Sequence, residues 1–180
     1  MQLSLEKKKF NEQWMIIITT DHGRDELNGK NHGGQSDRQR STWIVCNKKL
    51  NEYAHNFNPG IVDIMPTLAS FLKVKIEDKI AKEIDGISLL DTISITHPSI
   101  NIFQNKLDVS WQTVNKEGNV SIWLSATNAY KNGASDNYVL LKTVASTMQH
   151  ATIDIKNYPS DFYKVVIQGK YNQTNKWFVK

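Results

Sequence analysis

With a single cysteine, Cys46, the 180-residue chain cannot form an intrachain disulfide, so its stability has to come from packing. Cys46 sits in the apolar stretch STWIVCN and reads as a buried strand residue rather than a reactive thiol. No apolar run approaches the length needed to span a bilayer, which excludes a membrane-spanning helix. The opening residues lack the basic start, long apolar core and small-residue cleavage site of a secretion signal. Basic residues are scattered, apart from the lysine triplet at 7–9, so a net charge of +4 does not point to nucleic acid. Hydrophobic residues make up 39% of the chain, enough for a globular protein with one ordinary domain or two small ones.

Against those absences, residues 14–20 (WMIIITT) form a short, β-branched, continuously apolar run, the pattern of a strand buried on both faces of a parallel sheet. Asp21, His22 and Gly23 follow at its carboxyl end, where open α/β sheets bind ligands. Carboxylate and imidazole are both good ligands for zinc-like ions, and a second imidazole, His32, returns from a glycine-rich loop. Asp and His also cap helices and make turns, so the tripeptide alone does not specify a metal. Arg24, Arg38 and Arg40 are candidates to clamp an anionic substrate, against the commoner reading in which they pair with Asp25 or Asp37. His55, His97 and His150 lack ligand-like company.

Further along, residues 2–9 read as the end of a helix and residues 42–46 as a second strand. After Pro59, Ile61, Ile64, Met65, Leu68, Ala69 and Leu72 recur at helical period, predicting a helix that begins at Asp63.

The segment TTDHGRDELNGKNHGGQSDRQRSTWIV, followed by PGIVDIMPTLASFL and EIDGISLL, resembles the C-terminal part of the alkaline phosphatase superfamily of metal-dependent phosphatases, phosphodiesterases and sulfatases. The resemblance covers about residues 5–92 and implies a partial α/β domain over 1–95. It also implies two metal ions, most commonly Zn2+, with Asp21 and His22 on one and His32 on the other. The nucleophile, a first metal-binding Asp and an Asp-x-x-x-His pair would lie upstream in such proteins, yet residues 1–20 contain neither Asp nor His. The expectation is therefore a C-terminal fragment of a phosphate- or sulfate-ester hydrolase, inactive alone, from a parent enzyme exported from the cytoplasm.

The character of the sequence changes near residues 93–98. Short alternating segments follow at 107–112, 120–126, 138–143, 152–155, 162–169 and 176–179, separated by turn-rich pieces, which predicts an all-β antiparallel sandwich over 99–180. LDVSWQ and DFYKVVIQGKYN are similar to strands of a fibronectin type III domain, with Tyr163 at the tyrosine corner. Trp111, Trp123 and Tyr163 are expected in its core. Such modules serve as spacers or as docking surfaces, here for carbohydrate or protein, and Trp177 with Tyr171 is a candidate sugar platform, although packing is the commoner use of strand aromatics. The competing reading of the whole chain is a non-catalytic binding module with a remnant hydrolase segment.

Overall fold

A computed structural model describes residues 12–180, and the chain divides into two compact units, Met1–Leu50 and Asn51–Lys180. The expected helix end over 2–9 and the lysine triplet lie outside the described residues.

In the first unit, β1 (Ile17–Thr19) pairs with β2 (Ile44–Cys46), Ile17 opposite Cys46 and Thr19 opposite Ile44. The pairing is antiparallel, and the parallel α/β sheet expected of the front half is not what forms. A parallel neighbour needs a crossover element, whereas the segment joining β1 to β2 contains only the four-residue helix α1 (Asp37–Arg40) and folds straight back. Nor are these strands covered on both faces: Ile18 is 54% exposed and Val45 55%. Cys46 is half-buried. Asn47 fastens the end of the ribbon remote from the loop, its Oδ1 accepting the amide of Ile16 at 2.8 Å and its Nδ2 donating to the Trp14 carbonyl.

The second unit opens with helices α2 (Glu52–Asn56), α3 (Ile64–Phe71) and α4 (Asp78–Ala81). A 3-10 turn, Ile61–Asp63, leads into α3, so the predicted start at Asp63 is met within one residue. The helix lies opposite to its apolar pattern. Asp63, Thr67 and Ser70, spaced to share one face, attach it to the segment 86–91. Asp63 Oδ1 accepts the Ile87 amide at 2.6 Å, Thr67 Oγ1 accepts the Leu89 amide at 2.9 Å, and Ser70 Oγ donates to Asp91. Asp63 Oδ2 also takes the Gly60 amide and the Tyr53 hydroxyl. Burial raises the Asp63 carboxyl above its ordinary value, opposed by these three donors. Gly86 is obligatory here, since a Cβ would stand 2.0 Å from the Val62 carbonyl oxygen. Met65, Leu68 and Leu72 meanwhile face solvent, at 48%, 39% and 64% exposure.

Seven strands complete the unit: β3 (Ile95–Phe103), β4 (Lys106–Thr113), β5 (Asn119–Ser125), β6 (Val139–Ala145), β7 (His150–Asp154), β8 (Phe162–Gln168) and β9 (Gln173–Val179). They form two antiparallel sheets, ordered β3-β4-β7 and β6-β5-β8-β9. Period-2 alternation decides which side chains meet between them. Leu107, Val109 and Trp111 from the first sheet join Val120, Ile122, Leu124, Tyr163, Val165 and Ile167 from the second in one buried cluster. Trp111 Nε1 donates to the Ser146 carbonyl, so the indole is buried without an orphaned donor. Tyr163 forms the expected corner: its hydroxyl donates to the Tyr158 carbonyl and accepts the Ser160 amide, both at 2.9 Å.

Trp123 corrects the core assignment. It falls between inward-facing Ile122 and Leu124, so the pleat turns it outward. There it stands beside Val166, whose other neighbour is Asn175, and Lys82 crosses above the indole at 4.8 Å. Asn175 Nδ2 holds the carbonyls of Lys82 and Ile84, strapping that segment over the outer face of the four-stranded sheet. Beside the strap, Lys164 Nζ bridges Glu83 at 2.6 Å and Asp136 at 2.5 Å.

Candidate functional site

The loop between β1 and β2 carries the residues that the sequence singles out. Its shape is set by Asp25, whose carboxylate accepts the amides of Leu27, Asn28 and Asn31 while its own amide donates to the Asn31 carbonyl. The amides of Asn28 and Asn31, the two largest contributors, hold the Asp25 carboxyl below its ordinary value. This grip turns residues 25–31 back on themselves and delivers His32 to the strand end. Arg24 adds to the same turn, donating to the Lys30 carbonyl at 3.2 Å. Asp25 is therefore occupied by backbone amides, and the expected arginine pairing is not made.

A second constraint comes from Gly23. Its amide donates to the Gln39 carbonyl at 2.9 Å, and a Cβ at this position would lie 1.8 Å from the Arg38 carbonyl oxygen. Only glycine lets the strand end lie so close to α1. That helix is capped by Ser36, whose Oγ accepts the Gln39 amide, so Ser36 helps to order the loop.

These constraints bring Asp21, His22 and His32 together around His22. The His22 and His32 rings stack with centroids 4.3 Å apart and planes 19° from parallel. Asp21 Oδ2 lies 3.3 Å from His22 Nε2, and Asp21 Oδ1 accepts the His22 amide. His22 Nδ1 lies 2.7 Å from the Gly23 carbonyl oxygen. A carbonyl only accepts, so the proton belongs on Nδ1. Nε2 then meets the Asp21 carboxylate, and that approach is favourable only with a proton or a metal cation between the two atoms. Donation of the remote ring N–H to a backbone carbonyl is also how metal-binding histidines are commonly oriented.

The three side chains meet in pairs, Asp21 with His22 and His22 with His32. Among the described residues no group of three or more His, Cys, Asp or Glu is arranged to hold a metal ion by itself. Arg38 and Arg40 lie exposed on α1, their guanidinium groups without a hydrogen bond or ion pair to any described residue, whereas the Arg24 side chain is committed to its loop. Of the histidines set aside on sequence grounds, His97 packs on Phe57 with centroids 5.5 Å apart, and His150 Nε2 lies 3.7 Å from Asp108.

A cleft in the second unit was not anticipated in its composition. Trp177 lies beside Phe162, ring centroids 5.9 Å apart, and lines a cavity of about 400 Å3 together with Tyr130. Tyr171, expected as the partner of Trp177, instead donates its hydroxyl to Glu117 and lies under Lys170. Tyr130 carries no signal of this role in the sequence, because it belongs to the turn Ala129–Asn132 between strands.

No protein-family model and no curated protein sequence matches this chain. The described residues include no helix long and apolar enough to cross a membrane.

Proposed function

We propose that this chain is the C-terminal part of a two-metal hydrolase of phosphate or sulfate esters, with a fibronectin type III-like module attached. Asp21 and His22 bind one divalent ion, for which Zn2+ fits the donor set, and His32 binds the second. The observation that carries the reading is the Asp21 Oδ2 to His22 Nε2 approach of 3.3 Å, with His32 stacked on the same ring. Three ligands shared between two ions are too few, since zinc usually takes three or four protein ligands per ion. The nucleophile and remaining ligands belong to further polypeptide, and the isolated chain does not turn over substrate.

Support for a missing layer comes from α3. A helix that docks by Asp63, Thr67 and Ser70 and leaves Met65, Leu68 and Leu72 in water is expected where a neighbour covers the apolar side. Val45 and Ile18 on the ribbon ask for the same cover, because a two-stranded ribbon is marginal in water. Arg38 and Arg40, free at the loop, are the residues available for the anionic ester; Arg24 acts on the loop. For the module, the three-plus-four strand order and the Tyr163 corner support the resemblance. When bound, the metals would polarise the ester and stabilise charge on the leaving oxygen, while this chain's residues orient them.

Zinc titration of the full chain, followed by calorimetry, tests the site. Binding that weakens about tenfold or more in His22→Ala and in His32→Ala is expected. Equal affinity in both variants removes the metal assignment. Turnover of aryl phosphate, phosphodiester or sulfate by this chain alone with added zinc removes the inference of a missing half.

The second reading, a binding module with an inert front segment, is favoured by the contrast between the well-packed sandwich and the uncovered ribbon. Zinc binding without any effect of the loop variants would leave that reading standing.

A further inference from the structure

Between the helices of the second unit and its sandwich, residues 86–91 form a span that carries both α2 and α3. Asp63 and Thr67 hold the Ile87 and Leu89 amides from the α3 side. Asn51, the cap of α2, donates its Nδ2 to the carbonyls of Ser88 and Asp91. Each end of the span is fastened to the sandwich by an asparagine of the β8–β9 hairpin. At the far end, Asn172 Oδ1 accepts the amides of Ser94 and Ile95 at 2.7 and 3.1 Å, and its Nδ2 donates to the Ile95 carbonyl at 2.8 Å. At the near end, Asn175 Nδ2 donates to the carbonyls of Lys82 and Ile84, both at 3.1 Å. Glu83, between them, accepts the Tyr138 hydroxyl at 2.8 Å and Lys164 Nζ at 2.6 Å, with its side chain only 7% exposed.

The two fastenings differ in what their loss would strand. Ser94 and Ile95 are fully buried, so parting them from Asn172 leaves two amides without that acceptor inside the fold. The near end is different, because the charges on the sandwich are balanced without the strap. Lys164 keeps Asp136, and that carboxylate also accepts the Thr127 hydroxyl and the Ala129 amide. Withdrawal of Glu83 takes its charge into water and orphans no charge behind it. Trp123 Nε1 likewise stays bonded to Gln168. What opposes opening is contact: Lys82 crosses the Trp123 indole, Val166 beside it is fully buried, and Phe57 of the helical segment rests on His97.

We propose that the strap is a clasp. Glu83 is the releasable end of a two-point span, and the span, pivoting on its Asn172 end, sets where α2 and α3 stand relative to the sandwich. With the clasp shut, the exposed side chains of Met65, Leu68 and Leu72 are presented in one fixed orientation; with it open, the helices and that apolar side swing together. The inference concerns the second unit alone and does not rest on the hydrolase reading.

Spin-label distances in the full chain test it, with labels at Met65→Cys on α3 and Lys142→Cys on β6, both exposed positions, in a Cys46→Ser background. The expected result is one narrow distribution while the clasp is intact. In Glu83→Ala/Asn175→Ala the distribution should broaden about twofold or more, or show a second distance. The denaturation midpoint should move little in that variant and fall clearly in Asn172→Ala, which strands buried amides. Glu83→Gln keeps an acceptor for Tyr138 but not the ion pair, and is the probe to use should both of those variants unfold. Three results each overturn the proposal: an unchanged distribution in the clasp variant that is read; the same breadth in the parent, which would mean that the clasp holds nothing; or a larger loss of stability in Glu83→Ala/Asn175→Ala than in Asn172→Ala, which would make Glu83 a support of the sandwich fold.

Discussion

The ribbon and loop of residues 12–50 and the seven-stranded sandwich are held together by different means. Among residues 12–50 no side chain is buried, and order comes from hydrogen bonds to Asp25, Asn47 and Gly23. The sandwich rests instead on a closed apolar cluster running from Ile95 to Ile167. Directional bonds in water place a few groups accurately but contribute little net stability, whereas apolar burial stabilises strongly and places groups only through the pleat. The candidate metal ligands consequently lie where packing is absent, on a loop ordered by directional bonds.

The largest effect that this contrast predicts is in the core. Leu124→Ala should cost about 2–5 kcal/mol in denaturant unfolding, whereas Val45→Ala on the ribbon should stay within about 0.5 kcal/mol. Similar losses for the two would break the distinction. Next comes Asp63→Ala, which strands the Ile87 and Gly60 amides and should cost about 1–3 kcal/mol by the same measurement. A neutral result would mean that α3 is not held by its polar face.

Gly23→Ala separates placement from stability. The 1.8 Å clash with the Arg38 carbonyl should displace the loop and abolish the proposed zinc binding while leaving the sandwich melting transition in place. Loss of both together would show that the loop and the sandwich unfold as one.

A pH effect sharpens the sandwich side. Burial opposes ionisation of Asp136, but hydrogen bonds from Lys164, Thr127 and the Ala129 amide outweigh it and hold its carboxyl at about 2. Its folded value lies below the ordinary 3.8, so the stability it adds is complete above about pH 4 and disappears as the pH falls through about 2. Asp136→Asn should flatten that part of the stability curve. The smallest change is expected for Lys106→Ala: its pair with Asp154 is half-exposed, worth at most about 1 kcal/mol and screened by salt.

Six of the seven sandwich strands are legible as alternating segments, most plainly β4 and β5, where one face is dry and the other wet. The seventh, Ile95–Phe103, is hidden by His97 and Pro98, which read as a break. In the structure that break is a bulge between Thr96 and Ser99, with His97 at a φ of +49°, and the strand resumes beyond it. Trp123 escaped sequence reasoning for another reason. Hydrophobicity says that an indole seeks cover but not which cover, and here Lys82 and the strap supply it from outside the sheets. At the loop between β1 and β2, the adjacency of Asp21 and His22 is given by the chain itself, but the return of His32 depends on three amides closing on one carboxylate.

What the amino-acid order settled alone is local: alternation in the strands, the helical period after Pro59, and a carboxylate and an imidazole side by side at a strand end. Each follows from backbone geometry within a few residues and needs no partner. Tertiary structure decided the antiparallel sense of β1 and β2, the turning of α3 with its polar side inward, and the meeting of Tyr130 with Trp177. Those outcomes depend on which distant surface arrives to cover a side chain or accept its hydrogen bond, and sequence periodicity contains no record of that.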